Sequence, residues 1–453
     1  MKNATKFAPW VFLGTVIVMV WCFSVFPTAV SAQSQGNNAV YYQSGSSGTC
    51  CKGSGAFIDA SVFTALSQTF CSTLYNILSA SSYPSSTGTV IDARGLNSNN
   101  TTMKCATGTT PWNNGSTSVN VPSTILLPAG TIVIPLTWSL PPNTALIGVG
   151  DNIGSGTTLQ ASANSFSVGT PMIEFGSSSL CTSTCSGISV ENLNLDGQGQ
   201  AINGIANGFS RDLSYVDHVT LYQILGTGLS VLGNASHSGP YSNITFDTGA
   251  YSGVSATTCA SINGLTDTRG FHHWSCKSET NDAAAGILLD SSNNTLEDVR
   301  LIGFYDGIRV GANATAQSNV LLNVYGDTVG FGSGLTPINT VHIESSSYTV
   351  TDLSITGLGN VGGTGTVTLK DDLTSTQLSG TSDPYVAVYA LGKSANGGHS
   401  RFTTSPNAPT WGVGSSAPGS TSCSPGSLYS NTGGSPKALY VCLGSTSQWS
   451  GIK

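Results

Sequence analysis

Between residues 58 and 80, Val62, Leu66, Phe70, Leu74, Ile77 and Leu78 recur three and four positions apart, which predicts an amphipathic helix. After Gly88 the apolar period becomes two. Short alternating runs such as Thr89-Val90-Ile91-Asp92 and Ile132-Val133-Ile134 then recur between Gly, Asn and Ser, the punctuation of strands and turns.

Six of these runs share a motif: a polar anchor, an aliphatic residue directly after it, and usually a second apolar residue two further on. The anchors are Asn192, His218, Asn243, Asp298, Asn323 and Asp352, spaced 26, 25, 55, 25 and 29 residues apart. The long interval fits two repeats plus a short insertion. A second series, Gly204-Ile205, Gly228-Leu229, Gly286-Ile287 and Gly307-Ile308, interleaves with the first. A period near 25 residues with several short strands per repeat is that of a coil of a parallel β-helix. The fold class expected is all-β: a single-stranded right-handed parallel β-helix of about ten coils, stacked at roughly 4.8 Å. The anchors should stack at one turn of each coil, with Leu193, Val219, Ile244, Val299, Val324 and Leu353 inside.

Thr124-Ile125-Leu126-Leu127-Pro128-Ala129-Gly130-Thr131, the run from Leu140-Pro141-Pro142 to Gly148-Val149-Gly150-Asp151, and Thr89 to Gly95 resemble the opening coils of the pectate-lyase-like β-helix superfamily. The resemblance covers roughly residues 55–370 and implies the fold. It also implies an extracellular or cell-surface polysaccharide as partner and allows calcium as cofactor, although no ligand motif is present. The Arg-x-Pro-x-x-Arg stretch of the lyases and the Asn-x-Asp, Asp-Asp, Gly-His-Gly and Arg-x-Lys set of the polygalacturonases are absent, so no reaction transfers with the fold.

The flanks divide the chain further. Lys2 and Lys6 precede an uncharged run from Phe7 to Phe26, and Val30-Ser31-Ala32 suits cleavage after Ala32, so residues 1–32 read as a secretory signal peptide. Uncleaved, the run would be a membrane anchor. Residues 33–85 form an N-terminal segment whose helix would cap the rod, residues 86–392 the β-helix, 393–420 a Gly/Ser/Pro-rich linker, and 421–453 a small β module tied by a disulfide. That module resembles ones appended to bacterial and phage-related surface proteins.

Only 8% of residues are charged and the formal net charge is −7. Loss of Lys2 and Lys6 with the leader makes it −9 (13 basic against 22 acidic residues), which disfavours nucleic acid as a partner. Ten of the 11 cysteines remain, an even number suited to an oxidising compartment and a secreted protein. Short separations suggest Cys181–Cys185, Cys259–Cys276 and Cys423–Cys442, leaving Cys71–Cys105 and the adjacent Cys50 and Cys51. The oligomeric state is not legible.

The densest group of ionisable and aromatic residues is Asp267, Arg269, His272, His273 and Trp274, with Glu279 and Asp282 nearby. As a site, Asp267, Arg269, His272 and His273 would do the proton transfer and anion holding. Trp274 would stack on a sugar ring, and Glu279 and Asp282 would bind substrate. The alternative is a solvated loop inserted in the long interval. His272 and His273 with Cys259 and Cys276 also suggest zinc, against which a disulfide competes for the cysteines. Arg309 and His342 follow aliphatics in strands, so both should point outward and flank a groove. Two functions follow: a lyase or glycoside hydrolase acting on extracellular polysaccharide, or a non-catalytic adhesin or binding rod.

Overall fold

A computed structural model of the chain describes residues 56–63, 69–80, 88–97, 103–249, 251, 257–278 and 285–327, and beyond them strands and short turns between 339 and 452. The leader, Cys50, Cys51, Glu279, Asp282 and Asp352 lie outside the described residues.

The chain winds into a parallel β-helix whose coils present three faces. On the first face, strands Ala56–Asp59, Thr89–Asp92, Ser123–Leu126 and Ala145–Ile147 stack in parallel and in sequence order, and Ser189–Glu191 continues the stack. The second face begins with Met103–Lys104, Gly130–Ile134 and Thr157–Ala161, and Asn194–Asp196 continues it. The strand Ser189–Gln200 therefore serves both faces, with a bend between. Its successors Tyr215–Ile224, Tyr241–Asp247, Phe271–Lys277, Thr295–Ile302 and Val320–Asp327 stack on it in turn. The third face is a nine-stranded sheet running from Trp138–Leu140 to Val367–Asp371.

Because strand side chains alternate, each coil sends one residue of every pair inward, and these stack into continuous columns. One column on the first face runs Ile58, Ile91, Ile125, Leu146, Val190, Val216, Tyr241, Phe271, Leu296 and Leu321. All ten are buried. Where the column turns aromatic, Tyr241 and Phe271 stack with ring centroids 5.1 Å apart, and burial pushes the Tyr241 hydroxyl up to about 12.

The anchors do form one turn, for a backbone reason. Asn192, His218, Asn243, Asp298 and Asn323 all lie in the left-handed region, with φ between 50° and 55°. That conformation is tolerated best by Gly, Asn, Asp and His. The residues directly after these five anchors, Leu193, Val219, Ile244, Val299 and Val324, are buried as expected.

Two anchors need correction. His273 also sits at φ 58°, and Phe271–Lys277 pairs with the strands on both sides. The segment expected as an inserted loop is thus a regular rung, and His273 is the anchor missing from the long interval. At the other end Leu321 pairs with Ile355, and Tyr325 with Gly359. That register puts Gly357, at φ 71°, above Asn323 in place of Asp352. Leu353 is buried all the same, and Leu358 is the residue that follows the turn.

Among the described residues of the stretch 58–80, where a helix was expected, the α-helix is Phe70–Ser79, and Ala56–Asp59 is already a rung of the first face. Thr69 starts the helix: its hydroxyl accepts from the Ser72 amide, and the Ser72 hydroxyl accepts from the Thr69 amide. Phe70, Cys71, Leu74, Ile77 and Leu78 join one hydrophobic core with Ile58 and Ile91, and Cys71 is bonded to Cys105.

The other three bridges form as paired above: Cys181–Cys185, Cys259–Cys276 and Cys423–Cys442. Cys259 and Cys276 are both fully buried on two different faces, so their bridge crosses the rod's interior and does not clasp a surface loop. Near the C-terminus, Leu428–Asn431, Ala438–Leu443 and Gln448–Ile452 form one sheet with His399–Arg401 and Thr410–Gly414. The last two strands come from the stretch expected as linker. Among the described residues no helix is long and apolar enough to cross a membrane.

Candidate functional site

A left-handed residue breaks strand alternation, and that gives the rod an edge of outward side chains. Alternation would send the residue before the corner out and the corner residue in. The left-handed turn instead swings the corner side chain out as well, so each coil presents two outward side chains in succession. The first column reads Glu191, Asp217, Ser242, His272, Glu297 and Leu322 in strand register. The corner column beside it reads Asn192, His218, Asn243, His273, Asp298 and Asn323. Together they carry carboxylates, imidazoles and amides at the coil spacing of roughly 4.8 Å.

The side chains of this edge bind one another from coil to coil. At one end, Glu191 Oε1 accepts from the Tyr215 hydroxyl at 2.7 Å and from Ser189 Oγ at 3.1 Å. One coil on, Asp217 Oδ1 accepts from Ser242 Oγ (2.7 Å) and Asn243 Nδ2 (2.8 Å), and its Oδ2 lies 2.8 Å from His218 Nδ1. Partial burial would raise the Asp217 carboxyl, but the bonds from Asn243, Ser242 and His218 outweigh it and hold the group below the usual carboxylate range. Burial, reinforced by the bond to Glu191, pushes the Tyr215 hydroxyl up.

Further along, His272 Nδ1 lies 3.0 Å from Glu297 Oε2, and its Nε2 lies 3.2 Å from the Arg269 carbonyl oxygen. Gly270, at φ 95°, makes room for this ring: a Cβ there would come within 2.4 Å of His272 Nε2. His273 Nδ1 lies 3.2 Å from Asp298 Oδ2, and Asp298 Oδ1 accepts from Asn323 Nδ2 at 3.0 Å. His273 and Asp298 remain open to solvent, with side chains 59% and 41% exposed.

The structure brings only part of the sequence-derived set together. His272 and His273 share the edge, on neighbouring columns. Arg269 is exposed just ahead of them. Asp267 instead pairs with His237, Nδ1 to Oδ2 at 2.9 Å. Trp274 does not offer a stacking face: it is 2% exposed, meets Phe271 edge-on at 5.7 Å, and donates its indole N–H to the Tyr241 carbonyl at 2.8 Å. The reason is register, since Trp274 follows the corner His273 as Leu193 follows Asn192.

Arg309 and His342 lie on the third face, away from the edge, in register with each other. His342 was expected to point outward into solvent but is 4% exposed. Its Nδ1 lies 2.8 Å from Oδ2 of Asp306, which is fully buried, and Arg309 Nε lies 3.1 Å from that same oxygen and 3.0 Å from Glu344 Oε2. Asn339 Nδ2 donates to Asp306 Oδ1 at 2.7 Å.

Glu191, Asp217 and Glu297 were not singled out by sequence, and Asp298 was singled out only as a turn anchor. The signal was there: in five of the six corners a polar residue also precedes the anchor. With Cys259 and Cys276 bonded to each other, the zinc alternative has lost its thiolates. Calcium needs a cluster of oxygen ligands. Among the described residues no group of three or more His, Cys, Asp and Glu is arranged to hold a metal ion.

No protein-family model and no curated protein matches the chain. Solved structures similar to it include the A-module of Azotobacter vinelandii mannuronan C-5 epimerase AlgE4, at 15% identity and TM-score 0.22 over 60% of this chain and 91% of that one. The catalytic domain of a GH87 alpha-1,3-glucanase in complex with nigerose is 9% identical, with TM-score 0.34 over 75% of this chain and 69% of that one. Bacteriophage CBA120 tailspike protein 3 is 12% identical, with TM-score 0.25 over 87% and 69%. The strand pairing itself, not these likenesses, identifies the chain as a parallel β-helix protein.

Proposed function

We propose that this is an extracellular polysaccharide-binding rod, whose ligand lies along the edge from Glu191 to Asn323. The observation that carries the reading is the two-column edge, where hydrogen-bonding side chains recur at each coil. A spacing of roughly 4.8 Å is close to the length of one sugar ring, so a glycan chain laid along the edge meets a fresh pair of side chains at each unit. Contacts repeated along one polymer add through effective concentration even where each is weak. Four disulfides among the described residues support an oxidising, extracellular setting, and the acidic balance disfavours nucleic acid.

Cleavage is the second reading, and one observation favours it. Glu191 and Asp217 are side by side on neighbouring coils, and one of them is held ionised by three donors. Neighbouring carboxylates are what glycosidic acid–base chemistry requires. In that reading His272 and His273 would move protons, and the exposed Arg269 would grip a carboxylate or hydroxyl through its planar fork. Asp267 would act through His237.

The test is to apply the secreted protein to a panel of plant and bacterial polysaccharides, with and without calcium, scoring retention in affinity gels and release of new chain ends. Retention by at least one polysaccharide, weakened in His273→Ala and Asp298→Ala, supports the rod. New chain ends lost in Asp217→Asn would establish cleavage. Retention by none would overturn the rod, and no new chain ends from any polysaccharide would overturn cleavage.

A further inference from the structure

Away from the edge, a cleft of about 630 Å³ opens at the N-terminal end of the third face. Its floor is Leu136 and Thr137 leading into the strand Trp138–Leu140, one wall is the loop from Thr110 to Asn120, and the other is the turn from Ser177 to Leu180. The geometry points to this cleft as a second, separate binding site, for the end of a neutral saccharide one or two rings long.

Three features carry the assignment. The walls are preorganised. The Thr110–Asn120 loop bonds to itself, through Thr110 N to the Asn113 carbonyl and Val119 N to the Trp112 carbonyl, and Trp112 anchors it edge-on against Trp138 at 6.1 Å. The opposite turn runs into the Cys181–Cys185 bridge, and Asn120 Nδ2 donates to the Leu180 carbonyl, joining the two walls. A cleft already held in shape loses little ordering entropy when a ligand enters.

The lining chemistry suits hydroxyl groups. None of the twelve lining residues is charged, and eight carry a hydroxyl or an amide. Ser139 Oγ donates its proton to Glu174 Oε2 at 2.9 Å, and Thr137 Oγ1 donates to the Pro171 carbonyl at 2.6 Å. Each hydroxyl oxygen therefore keeps its lone pairs for a ligand's O–H. Trp112 also lines the cleft, and its indole N–H, like that of Trp138 against which it packs, is buried with no acceptor among the described residues. Buried N–H groups are rarely left so, and a sugar oxygen would complete this one.

The same surroundings select against anions. Glu174 is paired with Ser139 on the next coil, its carboxyl raised by burial against the opposing bond from Ser139. No lining cation balances it, so a uronate would meet a carboxyl with nothing to pair it. A volume of this size fits one or two rings, not a long chain.

The experiment uses the full secreted protein with the methyl glycosides of glucose, galactose and mannose, with maltose and cellobiose, and with galacturonate and glucuronate as charged counterparts. Binding is read by saturation-transfer NMR and by tryptophan fluorescence. At least one neutral probe should bind and shift the fluorescence, while both uronates fail at the same concentration. Trp112→Phe keeps the ring and removes the N–H, and should weaken binding about tenfold or more. Ser118→Arg places a bulky side chain at the exposed rim and should abolish it with an unchanged melting temperature, so the test stands even if Trp112→Phe does not fold. Binding by no neutral probe, equal binding of the uronates, or full binding by Ser118→Arg would overturn the assignment. Ser118 lies at the cleft and not on the edge, so binding that survives in Ser118→Arg belongs elsewhere and the polysaccharide reading fails or stands separately.

Discussion

The rod carries imidazole–carboxylate pairs in two very different settings. On the edge, His272 meets Glu297 at 3.0 Å and His273 meets Asp298 at 3.2 Å, with side chains 25% and 40%, then 59% and 41%, exposed. On the third face His342 meets Asp306 at 2.8 Å, with side chains 5% and 0% exposed. The groups and distances are nearly the same, but their consequences are not. A pair in water contributes little to stability and can exchange its partner for a ligand. A buried pair is held by the loss that follows when either member goes, because the other is left charged or unpaired in a poorly solvating interior. The edge is therefore suited to recognition and the third-face cluster to holding coils together.

The largest effect should come from breaking the buried cluster. Asp306→Ala strands His342, Asn339 and part of Arg309, and should lower the unfolding free energy by about 3–5 kcal/mol, read by denaturant titration. An effect as small as that of an edge variant would erase the contrast. Gly270→Ala should rank next. It forces a Cβ into the left-handed region at φ 95° and against His272 Nε2, a backbone strain of about 1–3 kcal/mol, and should displace the His272 ring from Glu297. The histidine resonances of this variant should shift even where melting changes little.

Acid provides a third way to sharpen the comparison. The Asp217 carboxyl is lower in the folded protein than its unfolded value of about 3.9, so it adds stability that is fully present above that value. The contribution disappears as pH falls through the lower, folded value. Melting of Asp217→Asn should accordingly depend less on pH below about 4 than melting of the unsubstituted protein. The smallest stability effect should be that of Asp298→Asn, within about 0.5 kcal/mol, because both it and His273 are solvated. The same change should weaken polysaccharide retention.

How much of this was legible follows from what each feature depends on. The corners were readable because a left-handed turn restricts which residues can occupy it, and five of the anchors stand where the pattern put them. Gly357 was passed over for Asp352 because glycine meets the same backbone demand without a polar side chain to mark it. His273 escaped because His272 beside it made the two look like one reactive pair, and the long interval suggested a loop. With His273 at the corner, register alone sends Trp274 inside. His342 was a different failure: its strand position is outward, in register with Arg309, and only the surrounding fold buries it. Alternation along a strand tells in from out, but not which outward residue another part of the chain will cover. The pairing of Asp267 with His237 joins residues thirty apart in sequence and needs the coil geometry to be seen.

The most direct test of the edge as a glycan-binding surface is an affinity measurement by calorimetry, using a polysaccharide that the unsubstituted protein retains. The double variant His273→Ala, Asp298→Ala is compared with the unsubstituted protein, and melting curves confirm that both are folded. A loss of affinity of about tenfold or more, some 1.4 kcal/mol, with melting nearly unchanged is the expected result. Unchanged affinity in the double variant would contradict it and move recognition off the edge.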